Sequence, residues 1–227
     1  MDELRAVDAL GSGWLAGIVV LSFGMLAWVN MVSPKQWMVI GRSFAAFRLG
    51  RHRLREELDV RDRTLTGLMV MASVLIAMFA YQALLFHGWM QPGIAGFGRV
   101  LLVVAVVTVG QLVLVRTISV LQDGAGALEE YLYTVIVFHV ALGLLLLPVV
   151  LLMSFPSQVA WRQWIWLAGA GITTATIIFR WVRVVAIGAG NGVPLRYIFL
   201  YICTLEILPV GLVLERAWHF VPPSHHL

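Results

Sequence analysis

Residues 133–152, YTVIVFHVALGLLLLPVVLL, decide the fold class. The one readily ionised side chain in this run is His139. A helix rises about 1.5 Å per residue, so some twenty such residues cross the ~30 Å of hydrocarbon in a bilayer. The stretch predicts a membrane-spanning helix over 129–153.

The same window, moved outward in both directions, finds five more apolar runs, at 12–32, 65–86, 98–119, 161–183 and 195–215. The chain as a whole is 60% hydrophobic and only 12% charged, which excludes an ordinary water-soluble domain. The expected architecture is all-α: one integral membrane domain over 1–227, with six spans. The first run does not read as a cleavable signal peptide, because Asp2 and Glu3 precede it and no clear small-residue cleavage site follows.

The basic residues set the orientation. Taking the first connection as cytoplasmic collects Lys35, Arg42, Arg48, Arg51, Arg53, Arg55, Arg61, Arg63, Arg116, Arg180, Arg183 and Arg196 on that side. The other side keeps Arg5, Arg99, Arg162 and Arg216, so the positive-inside rule places both termini on the outer side of the membrane. The net charge of +4 then reports topology and contact with anionic lipid at the cytoplasmic leaflet. No nucleic-acid module is visible.

The longest connection, 33–64, reads as an interfacial amphipathic helix. Trp37, Ile40, Phe44, Phe47, Leu54 and Leu58 recur at three- and four-residue steps, with one doubled step across Arg51, while Arg42, Arg48, Arg53 and Arg55 populate the rest. Lipid anchoring is the favoured reading, and a docking surface for a protein partner is the alternative. Residues 188–194, GAGNGVP, match no phosphate-binding fingerprint and read as a flexible turn.

Chemistry inside the membrane is the next question. Glu206 stands near the middle of the sixth run, where an ionised carboxylate costs at least ~2.5 to 3.5 kcal/mol on insertion scales. By depth along their own spans, Gln111, His139, Thr173 and Thr174 fall in the same layer, which suggests a buried polar network. For Gln111 and the two threonines, interhelical glue is the favoured role. For Glu206 and His139, proton exchange between a carboxylate and an imidazole is favoured slightly over glue.

Arg116, Arg180, Arg183 and Arg196 gather at the cytoplasmic helix ends, where they either snorkel to headgroups or form a basic mouth for an anion or lipid phosphate. About half a membrane thickness is expected between this mouth and the polar layer. Pro148 and Pro209 interrupt the helices shortly after His139 and Glu206. One histidine and one carboxylate are too few for a metal or haem site, so no cofactor is expected. Cys203 has no disulfide partner and reads as a small packing residue.

Two stretches suggest a family. YTVIVFHVALGLLLLPVVLL (133–152) and LRYIFLYICTLEILPVGLVLE (195–215) resemble the C-terminal half of small bacterial membrane proteins known as domain of unknown function 4271, found largely in Bacteroidetes. The more specific is the second, with Tyr201, Cys203, Glu206 and Pro209 in the form Y-x-C-x-x-E-x-x-P. The resemblance is firmest over 125–215 and implies a polytopic inner-membrane protein without implying an activity.

No G-x-S-x-G, H-E-x-x-H, C-x-x-C or paired aspartates occur, which points away from a conventional enzyme. Two functions remain. The first is a non-enzymatic subunit or assembly factor of a cell-envelope complex, working with a protein partner or as a homo-oligomer. The second is a small proton-coupled transporter that uses Glu206 and His139.

Overall fold

A computed structural model describes residues 13–32, 63–121, 126–154 and 159–190, with Arg196, Phe199, Cys203 and Gly211 as single positions. Five helices occupy those segments: α1 Gly13–Val32, α2 Arg63–Phe86, α3 Ile94–Leu121, α4 Gly126–Ser154 and α5 Val159–Gly190. All five are long and apolar enough to cross a membrane, and no strand occurs among the described residues. This is the architecture of a multi-pass helical membrane protein. Apart from the four single positions, the sixth run at 195–215 lies outside the described residues, as does the basic segment up to residue 62.

Helices α2 to α5 extend past the apolar windows that announce them. A hydropathy window stops at charge, whereas a helix stops where its backbone loses hydrogen-bond partners. The clearest correction is α5, which continues through Arg180 and Arg183 to Gly190. Residues 188–190 are therefore helical where a turn was expected, and the two arginines sit inside the helix.

The α2–α3 connection shows how one end is fixed. Gly88 has φ +70°, a left-handed conformation open to glycine and costly for most residues. The amide of Gly88 donates to the Leu85 carbonyl at 3.0 Å and that of Trp89 to the Leu84 carbonyl at 2.9 Å. This is the Schellman pattern, which satisfies carbonyls that a helix C-terminus leaves open. Tyr81 then fastens the far side of the loop: its hydroxyl donates to the Gly93 carbonyl and accepts from the Gly93 amide.

Neighbouring helices alternate in direction. Trp14 meets Tyr81 while Met25 and Trp28 lie against Gly67, so α1 and α2 are antiparallel. Ala72 faces Gly143 and Gln82 reaches Val150, so α2 and α4 run parallel. Phe138 meets Phe179 and Val149 meets Gly169, so α4 and α5 are antiparallel.

The core lies along α2 and α4. Leu68, Leu75, Met78, Tyr81, Phe138, Leu146 and Met153 are fully enclosed there. Two glycines allow the approach. A Cβ on Gly143 would sit 2.5 Å from the Ala72 Cα, and one on Gly169 would run into the Phe79 ring. Small residues at such seams let backbones close in, and van der Waals packing replaces the hydrophobic drive that lipid removes.

Candidate functional site

His139 is carried by the middle of α4 and turns toward α2, where its Nε2 lies 2.9 Å from the Ser73 hydroxyl. Ser73 Oγ is also 3.0 Å from the Met69 carbonyl of its own helix. A hydroxyl has one hydrogen to give. Both contacts are satisfied when Ser73 donates to Met69 and accepts the Nε2–H of His139.

Arg183 approaches the same level from α5. It is 2% exposed, and its Cζ lies 5.7 Å from the centroid of the Phe138 ring, the residue next to His139. A cation over an aromatic face is attracted by the ring quadrupole. Phe179 completes the stack, with its ring 5.6 Å from that of Phe138. Arg180 is partly buried and close enough for its charge to act on the His139 ring.

For Arg183 the expected separation from the level of His139 is therefore not found. Side chains on a helix lean toward its N-terminus, so the Arg183 guanidinium covers the turn before its own Cα. In α5 that direction points deeper into the membrane, toward the level of Phe179. The Arg183 guanidinium thus lies over the Phe138 ring and is enclosed by protein.

The other candidate residues are placed differently. The Thr173 hydroxyl donates to the Gly169 carbonyl of its own helix at 2.9 Å, and Thr174 is exposed. By the register of α4 against α5, both lie about five residues, or ~7.5 Å, from the level of His139. Gln111 is partly buried on α3 and makes no hydrogen bond among the described residues. Arg116 and Arg196 are exposed. Glu206, Arg42, Arg48, Arg51 and Arg53 lie outside the described residues.

A second polar contact joins α2 to α4 nearer the other end. Gln82 is fully enclosed, and its Nε2 donates to the Val150 carbonyl at 3.3 Å and to Ser154 Oγ at 2.9 Å. Ser73, Gln82 and Ser154 were not among the residues picked out by sequence. The signal for two of them was present: Ser73 and Gln82 are polar positions in the second apolar run, and a depth comparison begun at the third run passes over both. No group of three histidine, cysteine or acidic residues suited to a metal occurs among the described residues.

The family model described as Domain of unknown function (DUF4271) matches residues 15–215, nearly the whole length. The chain belongs to that family. In this DUF4271 chain the matched span takes in all five helices almost completely, and with them Ser73, His139 and Arg183. Neither the comparison with curated proteins nor that with solved structures gives a match.

Proposed function

We propose that this DUF4271 chain is a non-enzymatic inner-membrane protein that serves as a subunit or assembly factor of a cell-envelope complex. The observation that supports this reading is how its interior polar groups are used. Ser73 with His139, and Gln82 with Val150 and Ser154, tie α2 to α4, while Ser22, Thr173 and Thr176 bond back to their own helices. Such bonds are struts: they set the spacing of helices and make a stiff frame. On this reading both termini face the periplasm, and the basic segment 33–64 lies on anionic lipid and presents the docking surface. Gentle extraction from native membranes followed by native mass spectrometry tests it. A stoichiometric protein partner is expected, and a bare chain, with or without lipid, overturns it.

A second reading, proton-coupled transport, is favoured by Arg183. Ionisable groups within a membrane mark substrate or ion pathways and require a partner. Glu206 is the proposed partner by count along the sequence. Glu206 stands eleven residues into the sixth run, near its middle, as His139 stands near the middle of its own. Equal depth along the two runs is what pairs Glu206 with the level of His139 on this reading. Glu206→Gln is then expected to leave abundance unchanged and to abolish flux in proteoliposomes. Loss of folded protein in equal measure assigns Glu206 to structure instead.

A further inference from the structure

We infer that a water molecule is bound between α2 and α4 at Gln82. The residue has no exposed surface, and its carboxamide nitrogen is spent on the Val150 carbonyl and Ser154 Oγ. Its Oε1 is buried and has no hydrogen-bond partner. The amide cannot be reversed to remedy this, because Oε1 would then face the Val150 carbonyl, two acceptors with no hydrogen between them.

A buried acceptor left alone bears the full desolvation penalty, and ordered water is the usual remedy. The backbone of α4 supplies the second partner that such a water needs. A carbonyl oxygen has two lone pairs and uses one within the helix, and Gln82 lies against α4 at Val150 and Ser154. A water that donates one hydrogen to Oε1 has its other hydrogen free for a carbonyl of that turn.

Size and charge narrow the ligand to water. Met78, Phe79, Val150 and Met153 belong to the buried cluster around this position, so a lipid headgroup has no route to it. The free group is one neutral oxygen, whereas a hard cation takes six or more oxygen ligands. Position makes filling easy. Gln82 stands four residues before Phe86, the end of α2, so the site is about one helical turn, ~6 Å, from that end.

The test is water-selective cross-relaxation on the full-length chain in lipid nanodiscs, read at the Nε2 protons of Gln82. The resonance is assigned by its disappearance in Gln82→Met. A water cross-peak with the sign of a long-lived contact is expected, and it persists in Ser154→Ala, where no exchanging hydroxyl is left to relay it. An absent cross-peak, a cross-peak to lipid protons, or one lost in Ser154→Ala overturns the inference.

Discussion

Helices α2 and α3 follow one another and are nearly equal as stretches of sequence, yet they have different surroundings. Half of the most apolar window of α2 is buried, against 11% for α3. Leu102, Val106, Val109 and Val113 form an exposed row along α3, while Leu68, Met71, Leu75 and Met78 along α2 are enclosed. Hydropathy therefore reports that a helix can enter lipid, not whether it lies at the centre of the bundle. In lipid a leucine gains little by moving from a fatty chain to a protein neighbour. What makes α2 central is closeness and bonding: the Ala72–Gly143 contact, and the bonds from Ser73 and Gln82 to α4.

The strongest way to break this contrast is to add bulk at the seam. Gly143→Leu places a branched side chain where even a Cβ meets the Ala72 backbone, and the α2–α4 approach cannot survive it. Overpacking a tight site costs ~1–3 kcal/mol and more where backbone must shift. The expected result is loss of the monodisperse folded peak in detergent size exclusion. On α3 a Cβ at Gly110 meets nothing within 4 Å among the described residues, and the matching change Gly110→Leu is expected to keep that peak. Equal behaviour of the two variants ends the contrast.

A charge tests the other half of the comparison. Val106 is 60% exposed near the middle of α3, the position where hydrocarbon is thickest around a spanning helix. Val106→Asp is expected to lower insertion by ~2.5–3.5 kcal/mol, the value for aspartate at a helix centre. A glycosylation-based insertion assay reads this directly. Full insertion of the variant means that this face of α3 meets water or a polar partner and not lipid.

How much of this was readable in the sequence differs between helix and site. The five described spans are recognisable from apolar length alone, because bilayer thickness fixes that length. Their ends are not, and the extension of α5 beyond Arg183 shows why: two arginines stop a hydropathy window without stopping a helix. His139 is conspicuous as the ionisable group in its run. Its partner Ser73 is ordinary in sequence, since a serine in an apolar helix usually bonds to its own backbone, as Ser22 does to Ile18. The approach of Arg183 to Phe138, the residue before His139, depends on the register of α5 against α4 and on the lean of a long side chain. Neither leaves a trace in composition.

The smallest expected effect gives the sharpest test of whether the polar contacts hold the centre together or merely occupy it. A double-mutant cycle with Ser73→Ala and His139→Phe isolates the coupling across the 2.9 Å contact. Measured interhelical hydrogen bonds in a membrane protein average ~0.6 kcal/mol and reach ~1.7, because the unfolded chain in lipid also finds partners. A coupling in that range, read from unfolding in mixed detergent, fits a strut that α2 and α4 share. A coupling near zero assigns the seam to the Ala72–Gly143 packing alone. A value well above the range ties the pair to a larger network, and Arg180, whose charge reaches the His139 ring, is the described group to mutate next.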